Sequence, residues 1–493
     1  MAYTPERQLP NATAVQTQRQ MINQVQTALI AGMNQGNMGF SGIKRLTTLP
    51  YMAMTIAQPD LNRMRNLPEA RSVSTDDLVS IQTNLANPIV GADIAIADGF
   101  DGTGYAVAVL DTGVDFTHPA LVNQRVAEAC FTTDTNGQIV PGANGTFSPV
   151  VSGCPNGETV QIGDGAAAPF SPGDAPDNCN FCGHGSHVAG IAAGNAGDAF
   201  QGVAPGAGII GVNVFSIFTN DTFCLVNAGE GAPCTLGYTS DQILAFEYVL
   251  SLSETVSIAS VNLSLGGGLF SSEQTCDASD FSGYLDAVDA LRSASIAVIA
   301  AAGNDGAAGA LSRPACYSNV VSVGATSVAG SAPAIAITDG VAAFSNSTPF
   351  MDFWAPGLII TSSEPVERYV QRAGTSMASP YIAGAWAVMR QAYPTDSVEQ
   401  IRDKLASTGT PVQDPRNGVV KPRLQLDAAL PEQVSPTCPA DVNADGVVTP
   451  SDAVSVINQL EQSGVTLDLD QSGQVDEADV QFVLDRLGEF CDA

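Results

Sequence analysis

Basic residues are scarce in this chain. Nineteen Lys and Arg stand against 50 Asp and Glu, a formal charge of −31 at pH 7. That shortage argues against a nucleic-acid binder, because neutralising phosphates takes clustered Lys and Arg. It argues equally against attachment to anionic membranes. Long apolar runs are missing too: none reaches the roughly 18 residues that a membrane span needs. The start, Met1-Ala2-Tyr3-Thr4-Pro5, has neither the basic head nor the apolar stretch of a secretory signal. The sequence is therefore that of a cytosolic protein or of an exported one written without its leader.

What is present favours export. The chain has 493 residues, 45% hydrophobic, with 48 glycines, which predicts a compact protein of two or three domains. Its ten cysteines fall into neighbouring pairs, Cys130/Cys154, Cys179/Cys182, Cys224/Cys234, Cys276/Cys316 and Cys438/Cys491. Spacing does not fix connectivity, but nearest-neighbour pairing leaves none over and suits an oxidising compartment. Each such bridge would contribute ~2–4 kcal/mol. Cys179, Cys182, His184 and His187 form a string that superficially suggests zinc. Four ligands so close in sequence do not easily surround one ion, and a short structural disulfide is the expected reading, with His118 and His187 structural as well.

Charge divides the chain. Residues 1–80 hold seven Lys/Arg and five acids, leaving 12 Lys/Arg against 45 acids in the rest. The first segment reads as α/β. Met21, Ile22, Val25 and Leu29 fall at helical spacing with Gly32 as a stop, Leu49 to Ile56 reads as a strand, Leu61, Met64 and Leu67 as a short helix, and Ala70 to Ser74 as a second strand. From about residue 85 to 430, short apolar runs alternate with helical segments. Strands are predicted at 105–110, 208–215, 258–263, 296–301, 320–324 and 358–362. Runs apolar on both faces suit a parallel sheet covered by helices, with ligands beyond the carboxyl ends of its strands. Pro431 to Thr437 reads as a linker before a strongly acidic tail.

Three segments carry chemistry. Asp111 ends the run Ala106-Val107-Ala108-Val109-Leu110 and precedes Thr112-Gly113. His184 opens His184-Gly185-Ser186-His187-Val188-Ala189-Gly190, and Ser376 lies in Gly374-Thr375-Ser376-Met377-Ala378-Ser379-Pro380. A serine hydroxyl needs a base near neutral pKa, and the imidazole needs an acid to fix its tautomer. In the order Asp, His, Ser, these segments resemble the subtilisin-like serine peptidases over some 350 residues.

That resemblance implies an α/β, three-layer subtilisin-like fold with a central parallel sheet. It also implies a secreted serine endopeptidase that acts on polypeptides through an acyl-enzyme. Asp111, His184 and Ser376 would form the triad. Asn304, in Ala301-Ala302-Gly303-Asn304-Asp305-Gly306, would donate to the oxyanion. Substrate would bind along Ser264, Leu265, Gly266 and Gly267 on one side and Ala302 and Gly303 on the other, with broad specificity and an apolar bias at P1. No cofactor is implied for catalysis. Residues 1–80 resemble the inhibitory propeptide of such zymogens, a small α+β domain removed by cleavage within 75–84. Residues 81–432 would be the peptidase. In many members an acid follows the His-Pro after the catalytic Asp and binds a structural calcium. Here Ala120 follows His118-Pro119, so that site is not expected.

The tail, residues 433–493, carries two oxygen-rich loops. Asp441, Asn443, Asp445, Thr449 and Asp452 occupy positions 1, 3, 5, 9 and 12 of the first, with Gly446 at the turn. Asp468, Asp470, Ser472, Asp476 and Asp479 repeat the pattern around Gly473. Hard Ca²⁺ takes such ligands. Val454, Ile457 and Leu460, then Val480, Val483 and Leu487, give each loop a following helix with an apolar face. The pair resembles a dockerin, a small all-α calcium-loop domain, and implies structural Ca²⁺ and a cohesin-type partner. The positions that read the partner hold Pro450-Ser451 and Glu477-Ala478 instead of matched polar pairs, so a calcium-stabilised tail or a surface-sorting module is the competing reading.

Overall fold

The structure, a computed structural model, describes residues 11–45, 52–71, 85–169, 182–197, 199–280, 283–330, 337–431, 440, 442, 447–457 and 477–487. The chain divides into two compact units, Met1–Ser80 and Ile81–Ala493.

In the first unit a long helix, Ala12–Gln35, starts at Asn11, whose side chain accepts the Ala14 N–H. It runs through Gly32 and is capped at Gly36. Ile22 and Met33 are buried, whereas Met21 and Val25 are more than a third exposed. The buried face therefore runs through Gln18, Ile22, Gln26 and Met33. A polar residue is tolerated there because Gln26 Oε1 accepts from Arg45 Nε at 3.1 Å. A strand at Phe40–Arg45, not foreseen, pairs antiparallel with Met52–Ile56. The short helix is Leu61–Arg65. Of the strand expected at 70–74, residues 72–74 lie outside the described residues.

The second unit is built on a ten-stranded sheet. Its strands in chain order are β1 (Ala106–Asp111), β2 (Arg125–Phe131), β3 (Val160–Ile162), β4 (Gly208–Asn213), β5 (Ile258–Leu263), β6 (Ala297–Ala301), β7 (Val321–Ser327), β8 (Phe353–Leu358), β9 (Thr410–Gln413) and β10 (Val420–Arg423). In space they run β9-β10-β8-β7-β6-β5-β1-β4-β2-β3. Every neighbouring pair is parallel except β9 with β10 and β2 with β3, so antiparallel strands stand only at the two edges.

Alternation explains why the strands read as apolar throughout. Val107, Val109, Ile299 and Val323 join one buried cluster with residues of the helices His184–Ala193 and Thr375–Ala392. Ala108, Leu110, Val298 and Ala300 join the other with Phe246, Val249, Val288 and Leu291 of the helices Thr239–Leu252 and Tyr284–Ser293. The central strands are thus covered on both faces, as helix crossovers in a parallel sheet require, whereas the edge strand β3 leaves Val160 and Ile162 exposed.

One expected strand is displaced. The sequence suggests 358–362, but the sheet strand is β8 at Phe353–Leu358, with Pro356 opposite Thr326. Ile360–Glu364 instead forms a hairpin with Arg368–Arg372. An internal proline argues against a central strand, and that signal misplaced the element. A four-stranded insertion, Cys234–Leu236, Ser216–Phe218, Phe147–Val151 and Ile139–Pro141, was likewise not foreseen. Its core stacks Phe218 on Phe223 with ring centroids 4.9 Å apart. Disulfides join Cys130 to Cys154, Cys224 to Cys234 and Cys276 to Cys316, as neighbour pairing suggested. Cys182 is also disulfide-bonded, while Cys179, Cys438 and Cys491 lie outside the described residues. No helix among the described residues is long and apolar enough to cross a membrane.

Candidate active site

Asp111 is the last residue of β1 and is fully buried. Its Oδ1 accepts from His184 Nδ1 at 2.8 Å and from the Thr112 N–H at 2.7 Å. His184 opens its helix and is 9% exposed. The glycine after it is required by proximity, since a Cβ at Gly185 would meet Gly113 O at 2.2 Å and Asp111 Cβ at 3.0 Å. With Nδ1–H given to the carboxylate, Nε2 is the ring atom left to act as a base.

Ser376 is the second residue of Thr375–Ala392 and is half-buried. Its N–H belongs to the first turn, where no intrahelical acceptor exists. Its Oγ donates to Ser264 O at 3.2 Å. Pro380, four residues on, has no N–H to offer the Ser376 carbonyl. Ser264 supplies the missing donor: its hydroxyl reaches Ser376 O at 2.7 Å, and it accepts in turn from Asn262 Nδ2 at 3.0 Å. The end of β5 therefore holds the first turn of the serine helix on both sides of Ser376.

Asn304 follows β6 by three residues and is exposed. Its Oδ1 accepts from both the N–H and the hydroxyl of Thr375, each at 2.9 Å. With the oxygen end so fixed, Nδ2 lies 3.5 Å from where a Cβ on Gly374 would stand. Two residues of this arrangement carry no sequence signal of their own. Thr375 also accepts the Gly303 N–H at 3.1 Å. Asn346, fully buried and 42 residues beyond Asn304 in number, accepts the N–H of Asp305 at 3.1 Å and of Ala307 at 2.9 Å and donates to Ala302 O at 3.1 Å.

Leu265, Gly266 and Gly267 line a cavity of about 660 Å³ together with Phe215, Leu236, Tyr284, Tyr317 and Arg313. Ala302 and Gly303 do not. Ala302 is buried with its carbonyl already accepting from Ser312 N at 3.0 Å, and Gly303 has φ +105° with its carbonyl accepting from Asn346 N at 3.0 Å. They support the Asn304 turn from beneath.

His118 and His187 serve the hairpin Ile360–Arg372. His118 Nε2 donates to Arg368 O at 3.0 Å, and His187 Nε2 lies 3.1 Å from both Ile360 O and Val370 O. Burial holds His187 down at about 3, helped by the Arg372 charge. Burial pushes Asp241, on the helix Thr239–Leu252, up to about 6, partly offset by the Thr133 hydroxyl that donates to it.

In the tail, Asp452 and Asp479 are buried, and Asp452 Oδ2 accepts from the N–H and hydroxyl of Thr449 at 2.8 and 3.0 Å. Two position-12 carboxylates held inside a small core suit a hard cation. Asp441, Asn443, Asp445, Asp468, Asp470, Ser472 and Asp476 lie outside the described residues. The helices are Pro450–Ile457 and Glu477–Leu484. In the first, Ala453 and Val456 are buried while Val454 is exposed, a shift from the expected face; in the second, Val483 is buried and Val480 packs against the same core as expected, with Leu487 exposed beyond the helix end.

A parallel sheet covered by helices on both faces, with an Asp–His pair and a helix-terminal serine at its carboxyl rim, is the layout of an α/β serine hydrolase. Comparison with known proteins narrows that class. The model of the subtilase family (Peptidase S8) matches residues 102–421, and the chain belongs to that family, the serine endopeptidases of the subtilisin type. A dockerin type I domain model matches residues 439–488. Subtilisin DY of Bacillus licheniformis is 28% identical over 331 residues, covering 66% of this chain and 91% of that protein. The alkaline protease of Alkalihalobacillus alcalophilus is 30% identical over 370 residues, 74% of this chain and 75% of its own. Among solved structures, a cold adapted subtilisin-like serine proteinase matches at 25% identity and TM-score 0.44, covering 66% of this chain and 89% of the other.

Proposed function

We propose that this subtilase is a secreted endopeptidase, made as a zymogen, in which Ser376 attacks the scissile carbonyl. The observation that carries the reading is the 2.8 Å bond from His184 Nδ1 to buried Asp111, which supports Nε2 as the nitrogen that would act as the base. The Ser376 hydroxyl turns from Ser264 O to His184 Nε2, which takes its proton as the Oγ–C bond forms. The tetrahedral oxyanion is met by the Ser376 N–H and by Asn304 Nδ2. His184 then passes the proton to the leaving amine, and water repeats the sequence to release the acid. A side-chain donor of this kind is worth about 10²–10³ in rate. Asp111 fixes the tautomer and steadies the imidazolium.

An extended substrate would pair with the backbone at Leu265 to Gly267, its side chains entering the cavity beside them. Aromatic and aliphatic lining there supports broad specificity with an apolar preference at P1. Residues 1–80, with their own helix-on-sheet fold and their higher proportion of bases, would be the inhibitory propeptide. Residues 81–432 would be the peptidase and 433–493 a module that binds two Ca²⁺ as structural ions and docks on a cohesin-type partner. The position-12 pair Asp452 and Asp479 would serve as ligands with the loop oxygens. The paired cysteines support an oxidising, extracellular setting.

The test is direct. Purified protein should cleave casein and small peptide amides, and Ser376→Ala should abolish both while the fold persists by circular dichroism. Full activity in that variant would sink the assignment.

A further inference from the structure

Asn304 can stabilise an oxyanion only if its turn is rigid, yet that turn is exposed and carries two glycines, Gly303 at φ +105° and Gly306 at φ +68°. What holds it lies elsewhere in the chain. Residues 302–307 are stitched to the segment 343–347. Gly306 N donates to Phe344 O at 2.7 Å, Ser347 N to Ala307 O at 2.9 Å, and Asn346 bonds the turn through both ends of its amide.

The segment 343–347 is itself loop, and a single guanidinium gathers it. Arg416 Nη2 donates to Ser345 O at 2.7 Å, and Nη1 donates to Ala343 O at 3.0 Å and to Gly306 O at 3.4 Å. One side chain thus bridges both loops on either side of Asn346. Arg416 is fixed in turn by Asp414, whose carboxylate is fully buried and accepts from Arg416 Nε at 2.9 Å and Nη2 at 2.6 Å, a two-pronged pair with defined direction. Asp414 also accepts from the Ser347 hydroxyl at 2.5 Å, and Asn417 Nδ2 donates to the same hydroxyl at 2.8 Å.

We propose that Arg416, locked by Asp414, is a positioning residue for oxyanion stabilisation: it holds the 343–347 segment on which Asn346 sets the Asn304 turn. The proposal rests on the reading of Asn304 as an oxyanion donor. Arg416 touches no reacting atom. Its effect must pass through Asn304, which separates it from a merely structural arginine.

A double-mutant cycle in the full chain decides the matter. Arg416→Ala should lower kcat with KM nearly unchanged, by about 10- to 100-fold, the order expected when a catalytic group is displaced by about 1 Å. Arg416→Lys places one charge where three carbonyls were met, and should fall between the two. It also serves if the alanine variant does not fold. In an Asn304→Ala background the same Arg416 substitutions should cost almost nothing further in kcat. Equal losses in both backgrounds, or an unchanged kcat with only a lower Tm, would overturn the proposal. An Asn304→Ala enzyme with full kcat would instead contradict the oxyanion reading itself, and the proposal with it.

Discussion

At the scale of single residues, the fold buries ionisable groups outside the triad, and that sets the pH response of its stability. Asp241 is 4% exposed and has its carboxyl raised to about 6. A folded-state pKa above the unfolded value means that the native protein keeps a proton that the unfolded chain has lost. Stability from this group is therefore present at low pH and is lost as pH rises toward and through about 6. Asp241→Asn, which still accepts from Thr133, should be more stable than the parent at pH 8 by ~1–3 kcal/mol. The gap should close below pH 4, which urea denaturation at a series of pH values would show. His187 acts oppositely. Held at about 3, it stays neutral in the fold while the unfolded ring protonates from about 6.5, so stability falls as pH drops through that window. His187→Gln should flatten the slope between pH 6.5 and 3, and an unchanged slope would contradict the burial account.

At the scale of elements, the helix Thr375–Ala392 is unusual in carrying Pro380 inside it, four residues after Ser376. The carbonyl so freed is met by Ser264, at the end of a different strand. Ser264→Ala should leave a half-buried carbonyl without its donor, costing ~1–3 kcal/mol and lowering kcat as the first turn loosens. Adding Pro380→Ala restores an N–H within the helix, so the double variant should regain stability relative to Ser264→Ala alone. A double variant no better than the single one would mean that the proline and the serine are not linked. Elements such as β1, β5 and β6 were legible in the sequence because both faces of each strand are buried and the runs are apolar from end to end. Strand β8 was not, because Pro356 is a signal against central strands that tertiary context overrides. The helix in the first unit passes Gly32 for a similar reason: one glycine is a weak stop when the buried face continues to Met33.

At the scale of the whole molecule, Asp111, His184 and Ser376 were readable because each sits among small residues that its close packing demands. Asn346, Asp414 and Arg416 were invisible because their meaning is a set of contacts to loops some 40 to 110 residues away. The flanking modules were readable from charge and from repeated oxygen spacing, without their geometry. Calorimetry with Ca²⁺ should find two sites per chain, lost when Asp441 and Asp468 are replaced together. Mass spectrometry of active protein after incubation should find an N-terminus within 75–84, and an active chain still starting at Met1 would count against a removable propeptide.

The central claim is that Ser376 is a nucleophile activated by His184. Treating the protein with a serine-directed sulfonyl fluoride and mapping the product by peptide mass spectrometry addresses it at the atom concerned. The account predicts a single adduct, on Ser376, forming as activity is lost and failing to form in His184→Ala. Loss of activity with Ser376 unmodified, or an adduct that forms equally well without His184, would contradict it.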